Sequence, residues 1–282
     1  MKEIDQDLLK KVIIERPRSS HKGDYGRLLL IGGTYPYGGA IVMAALGAVR
    51  SGAGLVTVAT DKENILPLHS HLPEAMAFDL GDKQLLEQQL QKANIVLLGP
   101  GLVDDERGEE LLQIVFHHSN QDQTLILDGG ALSILAKAEM NFPKAHLVLT
   151  PHQREWQVLS GLDLDSQGIE ETGETLKRFP SGTILVQKGP ATRIWQAGQT
   201  DCYQLSVGGP YQATGGMGDT LAGMIAGFAG QFPQANLYER VTVATYLHSA
   251  IAQKLSEDNF VVLPTTISQH IPAFMKKIQK DT

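Results

Sequence analysis

The chain has 282 residues, 42% of them hydrophobic and 20% charged, with a formal net charge of -7. That much apolar material supports a large buried core, and a chain of this composition is not disordered. The acidic balance lacks the basic field of a general nucleic-acid binder, so no nucleic-acid partner is expected.

Taken in chain order, residues 28–31 form a short apolar strand that ends in Gly32-Gly33. Residues 40–50 follow as a helix rich in small side chains, and 55–59 as a second strand. Further strands are read at 95–98, ending at Gly99-Pro100-Gly101, and at 125–127, ending at Asp128-Gly129-Gly130. Two more lie at 147–149, before Thr150-Pro151-His152, and at 184–186, before Lys188-Gly189-Pro190. These runs are continuously apolar, the pattern of strands buried on both faces of a parallel sheet. Segments 84–92 and 106–117 are long enough for crossover helices. Residues 193–196 and 203–207 read as a hairpin, and 220–230 and 237–256 as helices. The expectation is one domain over 1–282, a three-layer α/β/α fold with a mainly parallel sheet and helices on both faces. Such sheets bind ligands at the carboxyl ends of their strands, where the glycines and polar residues cluster.

Cys202 has no second cysteine to pair with, which fits a reducing compartment. It reads as a small residue in a strand and not as a nucleophile. The first eleven residues are charged and lack a signal-peptide core. No apolar run approaches the roughly 20 residues that cross a bilayer. A cytoplasmic protein without a membrane partner is expected.

The most informative segment is Ala213-Thr214-Gly215-Gly216-Met217-Gly218-Asp219-Thr220. Its glycines free backbone N–H groups to approach a ligand, and a helix begins at or just before Asp219. Unpartnered N–H groups and the positive end of the helix dipole make a phosphate site there. A carboxylate at that position is expected to stay ionised and to act as a base; the alternative is that Asp219 merely caps the helix. No P-loop pattern occurs, and the glycines after the first strand do not form a dinucleotide fingerprint.

The segment from Ala213 to Gly223 resembles the G-x-G-D motif of the ribokinase-like superfamily. His21-Lys22-Gly23-Asp24-Tyr25-Gly26 resembles the opening motif of the NAD(P)H-hydrate dehydratases within it. Tyr37-Gly38-Gly39-Ala40, Gly99-Pro100-Gly101-Leu102, Leu149-Thr150-Pro151-His152, Val186-Gln187-Lys188-Gly189 and Gly223 to Phe228 follow in that family's order. The resemblance runs from about His21 to about Lys254.

It implies an enzyme that repairs hydrated NADH and NADPH, NADHX and NADPHX. A nucleotide phosphorylates the hydroxyl of the (6S)-hydrate, and phosphate then leaves. ADP is the donor implied by bacterial-type members and ATP by eukaryotic ones, with Mg²⁺ alongside. The resemblance also implies a homo-oligomer, in relatives a tetramer. With about twenty residues before the first motif, no N-terminal epimerase domain is expected.

Carried over by position, Ala40, Gly101, His152 and Asp219 contact the hydrated substrate, and Asp219 is the catalytic residue. Lys188, Gly189, Pro190, Ala191 and Thr192 cover the nucleotide phosphates, and Gly218 contacts AMP. Gly215 and Gly216 supply further phosphoryl contacts. Glu155 stands where related kinases have a Glu that organises Mg²⁺, here through water; it reads equally as a surface Glu on a first helical turn.

Three motifs depart from the family pattern: Gly130 replaces an acidic residue, Gln153-Arg154 replaces Pro-Gly, and Val103 replaces a glycine. The paired histidines His69/His71 and His117/His118 lack zinc-site spacing. Trp156 and Trp195 read as packing or pocket walls. A small-molecule kinase or a non-catalytic nucleotide-binding protein are the rival functions.

Overall fold

The structure is a computed structural model that describes residues 1–138 and 141–280. Among the described residues nine strands form one sheet. They are β1 (Arg27–Ile31), β2 (Leu55–Thr60), β3 (Met76–Asp79), β4 (Ile95–Leu98), β5 (Thr124–Leu127), β6 (His146–Leu149), β7 (Ile184–Gln187), β8 (Arg193–Gln196) and β9 (Tyr203–Gln204). Their order is β3-β2-β1-β4-β5-β6-β7-β8-β9. Pairings from β3 through to β7 are parallel, and β8 and β9 add on antiparallel.

Continuous apolar runs make sense in this sheet because both of its faces are covered. Along β1, Leu28 and Leu30 join one apolar cluster, and Leu29 and Ile31 join another. The same alternation splits Ile95 and Leu97 from Val96 and Leu98 in β4, and Ile184 and Val186 from Leu185 in β7. Each such fully buried aliphatic side chain contributes about 1.5–3 kcal/mol before chain entropy offsets it.

The first cluster is closed by α1 (Gln6–Val12), α2 (Gly38–Arg50), α3 (Ile65–His71), α9 (Met217–Gln231), α10 (Leu237–Leu255) and α11 (Pro264–Lys280). On the second face lie α4 (Lys83–Lys92), α5 (Glu106–His118), α6 (Gly130–Lys137), α7 (Gln153–Ser160) and α8 (Ile169–Leu176). The three-layer α/β/α arrangement is therefore as the sequence predicts.

Helices α2 and α9 approach closely because small residues face each other. A Cβ placed on Gly223 would lie 1.9 Å from the Ala44 carbonyl oxygen, so backbone touches backbone there. This contact fixes the start of α9 relative to the start of α2.

Strand order reverses between β1 and β4: the chain first builds outward through β2 and β3, then crosses back to β4. The crevice at that point is the expected binding place in an open parallel sheet. Several elements escape the sequence reading. β3 is a partly exposed edge strand whose short apolar run, Ala75 to Phe78, has no β-branched residue to mark it as a strand. Helices α1 and α11 lie outside the strand-helix alternation, and α11 carries Pro272 inside it. The second hairpin strand, predicted over 203–207, is only Tyr203–Gln204.

Candidate active site

At the reversal point the loops after β1 and β4 are tied backbone to backbone. The Gly33 and Thr34 N–H groups donate to the carbonyls of Pro100 and Gly101, each at 2.8 Å. Gly101 has φ +65°, and a Cβ on it would lie 2.9 Å from the Ala40 Cβ and 2.4 Å from the Tyr37 carbonyl oxygen. Gly101 and Ala40 thus form one small-residue floor, with Ala40 in the first turn of α2.

Next to this floor the chain gathers charge. Asp128 directly follows β5 and is 2% exposed. Lys188 follows β7; its backbone N–H donates to the Pro151 carbonyl at 2.9 Å. The Lys188 Nζ donates to Asp128 Oδ1 at 2.8 Å, and the Thr150 hydroxyl donates to the same oxygen at 2.6 Å. Burial pushes the Lys188 pKa down, but the carboxylates of Asp128, Glu155 and Asp219 outweigh it and raise it. The ammonium is therefore retained at neutral pH. Sequence reasoning noted Asp128 only as part of an altered motif and assigned it no role. Its place, an acid directly after a buried strand, was the available signal.

Asp219 is the third residue of α9, and its carboxylate is not the helix cap. The cap position is Gly216, in the left-handed region with φ +92°; a Cβ there would meet the Met43 sulfur at 2.2 Å. Asp219 is ionised at neutral pH, but the helix start does not lower its pKa. Burial first, and then the nearby Asp128 carboxylate, raise its pKa to about 6. Lys188 and a backbone hydrogen bond pull it back only in part. A base poised there is suited to accepting a proton near neutral pH. Loss of the carboxylate below that value should show in kinetics: kcat/KM is expected to fall on the acid side, half-lost near pH 6, in a profile from about pH 5 to about 8. A flat profile across that range would remove Asp219 as the base.

His152 and Glu155 belong to the start of α7. The His152 Nδ1 accepts from the Arg154 and Glu155 N–H groups at 3.1 Å, and Glu155 Oε2 accepts from the His152 N–H at 2.7 Å. This reciprocal cap orients the imidazole, whose side chain remains 55% exposed, while that of Glu155 is 13% exposed. Burial and the Lys188 charge lower the His152 pKa, and burial raises that of Glu155. Glu155 is therefore no loose surface residue.

Two of the departures acquire local reasons. Gln153 packs its side chain beside Gly189, 3.7 Å from where a Cβ would stand. At Gly130 a Cβ would lie 1.9 Å from the Leu102 carbonyl oxygen, so this chain's β4 loop occupies the space of the missing acidic side chain.

A cavity of about 560 Å³ opens between the Lys188 loop and α10. Lys188, Gly189, Pro190, Thr192 and Gly218 line it. Ala191, Gly215 and Gly216 stand outside that lining, as do Ala40, Gly101, His152 and Asp219. The Thr192 hydroxyl donates to the Gly189 carbonyl at 3.0 Å and closes the loop on itself. A Cβ on Gly218 would lie 3.1 Å from Lys188 Nζ, so the helix start and the ammonium are close neighbours.

Trp156 and Trp195 are core residues, at 0% and 2% exposure. Cys202 is buried just before β9, and burial raises its thiol pKa, which makes it inert. Among the described residues no group of three His, Cys, Asp or Glu side chains gathers to hold a metal, and no helix is long and apolar enough to cross a membrane.

A parallel sheet wound on both sides, with its acid and its lysine meeting at a glycine-lined helix start, is an enzyme fold of the ribokinase-like class. A solved structure from Enterococcus faecalis, described as a ribokinase-like superfamily protein, superposes with a TM-score of 0.92 at 41% identity, covering 99% of this chain and 96% of that one. Within the class, the chain belongs to the NAD(P)H-hydrate dehydratase family, whose model matches residues 28–273. It is 69% identical over 278 residues to the ADP-dependent (S)-NAD(P)H-hydrate dehydratase of Streptococcus pneumoniae, spanning 99% of this chain and 96% of the relative. It also resembles the ADP/ATP-dependent NAD(P)H-hydrate dehydratase of Bacillus subtilis co-crystallized with ATP/Mg²⁺, with a TM-score of 0.82, 29% identity and 97% of each chain covered.

Proposed function

We propose that this protein dehydrates (6S)-NADHX and (6S)-NADPHX to NADH and NADPH, using ADP and releasing AMP and phosphate. The observation that carries this reading is the meeting of Lys188, Gly218 and Asp219 at one helix start in a chain of this family.

The substrate's ring hydroxyl lies over Ala40 and Gly101, beside His152. Asp219 accepts the hydroxyl proton as its oxygen attacks the terminal phosphorus of ADP. The bond from that phosphorus to the bridging oxygen breaks, and AMP leaves. Lys188 and the N–H groups at Gly218 hold the charge on the transferring group, where fixed donors act most strongly. The phosphoester then loses phosphate from the ring carbon, and loss of a proton from the neighbouring carbon restores the double bond. The hydroxyl oxygen departs within the phosphate.

Gly189, Pro190, Ala191 and Thr192 form the loop over the nucleotide, and Gly215 and Gly216 shape the turn beneath it. Carboxylates suit Mg²⁺, but one oxygen of Glu155 is held by the α7 cap and one of Asp128 by Lys188 and Thr150. The arrangement fits an ion that arrives on the phosphates and meets Glu155 through water. Bound there, Mg²⁺ would neutralise phosphate charge.

Incubation with NADHX and ADP, followed by NADH absorbance, tests the proposal. Appearance of NADH with stoichiometric AMP is expected. A folded preparation that forms no NADH with either ADP or ATP, or that accumulates a stable phosphoester, overturns it.

A further inference from the structure

Thr34 stands where the loop after β1 meets the loop after β4, and it is 6% exposed. The reaction described above gives it no task. Its hydroxyl donates to the Gly101 carbonyl at 3.1 Å and accepts from the Val103 N–H at 2.9 Å. Its own backbone N–H donates to that same Gly101 carbonyl. One residue therefore grips this carbonyl twice and also holds the chain two residues further on. Gly101 itself has no side chain and a left-handed φ, so nothing of its own fixes how its peptide groups lie.

The grip matters because of what it leaves over. Among the described residues the Gly101 N–H has no hydrogen-bond partner. It remains available to a substrate lying over Gly101 and Ala40, and a donor is most useful there when it is held in place beforehand. The rest of the β1 loop is anchored by other side chains. The Thr60 hydroxyl donates to the Gly33 carbonyl at 3.1 Å, and the Asn64 side-chain amide donates to the same carbonyl and to the Thr60 hydroxyl. Asp61 accepts from the Tyr35 N–H at 2.8 Å and pairs with Arg107 at 2.8 Å. Of these side chains, Thr34 is the one that reaches across to Gly101.

We propose that Thr34 is a positioning residue, whose hydroxyl fixes the Gly101 peptide against Ala40 so that the hydrated ring of the substrate is held within reach of Asp219. This rests on the reading of that floor as the substrate site. Thr34 acts through Gly101, since its one donor is spent on the Gly101 carbonyl.

Steady-state kinetics on the wild type, Thr34→Val and Thr34→Ser test this. Valine keeps the shape and removes the hydroxyl. The backbone bonds from Gly33 and Thr34 to the β4 loop remain, so the two loops stay joined and the variant is expected to fold. For Thr34→Val, kcat/KM for NADHX is expected to fall about tenfold, chiefly through a higher KM, as befits a slightly misplaced substrate. KM for ADP should not move, because the Lys188 loop is untouched. Thr34→Ser, which keeps the hydroxyl, should keep KM for NADHX close to wild type. A mere loss of folded protein would lower the apparent kcat and leave both KM values where they were. Circular dichroism checks the fold, and Thr34→Ala takes the same measurement if the Val variant does not fold. An unchanged KM for NADHX in a folded Val or Ala variant, an equal rise in both KM values, or a Ser variant as impaired as the Val one overturns the proposal. A wild type that forms no NADH overturns the proposed reaction, and this assignment with it.

Discussion

Asp219→Asn is expected to lower turnover by about 10²–10⁴-fold, the range supplied by a positioned general base, while AMP and ADP still bind. Asparagine is nearly the same size and fits the first turn of α9, but it does not take the substrate proton. The same variant should also be more stable than the wild type at neutral pH. In the folded protein the Asp219 pKa is raised to about 6, against an ordinary value of 3.8. Between those values the unfolded chain has already released the proton that the folded protein still holds. Each step up in pH through that window therefore weakens the fold, and above it the ionised carboxylate carries the full penalty. A gain of about 1–2 kcal/mol is expected for Asn at pH 8, after allowing for the lost charge at the helix start. The gain should vanish below about pH 4. Urea unfolding at both pH values, with kcat measured alongside, checks the pair of effects. An Asn variant that is active, or less stable at pH 8, contradicts the assignment.

Lys188→Met is expected to weaken ADP binding by about 100-fold, through loss of a charge-assisted contact to phosphate. It should also cost about 3 kcal/mol of stability, because Asp128 is left buried and unpaired. Adding Asp128→Asn in the same chain removes the stranded charge. That double variant should regain much of the stability and none of the ADP affinity. Removing the ammonium also takes away one of the influences that holds the Asp219 pKa down. Any residual activity should therefore have its acid limb at higher pH than wild type. Calorimetric titration and urea unfolding on the three proteins decide the matter. Unchanged ADP affinity in Lys188→Met would dismiss Lys188 as a phosphate contact.

The sheet was legible in the sequence because its strands are buried on both sides and so read as unbroken apolar runs. Helix α9 was legible from its glycines, though it begins two residues before Asp219. Edge strand β3 was not, since Met76 is half exposed and nothing in its four residues alternates. In the site, Lys188 and Asp219 were named from the family pattern, but their mutual influence was not visible. Burial is the first cause of the raised Asp219 pKa, and the second is Asp128, ninety-one positions earlier and brought close only by the sheet. Gly130 reads in sequence as a departure from the family pattern; in space a side chain there would meet the Leu102 carbonyl.

The backbone contact between Gly223 and Ala44 has a mechanical consequence. α2 begins at the floor that carries Ala40, and α9 begins at the turn that carries Asp219. Locked at mid-length with no side chain between them, the two helices act as a caliper with a fixed gap. Across from them stands the Lys188 loop, between β7 and its antiparallel neighbour β8. The distance between the Ala40 floor and the Asp219 carboxylate is thereby set by the packing of two helices and not by any loop.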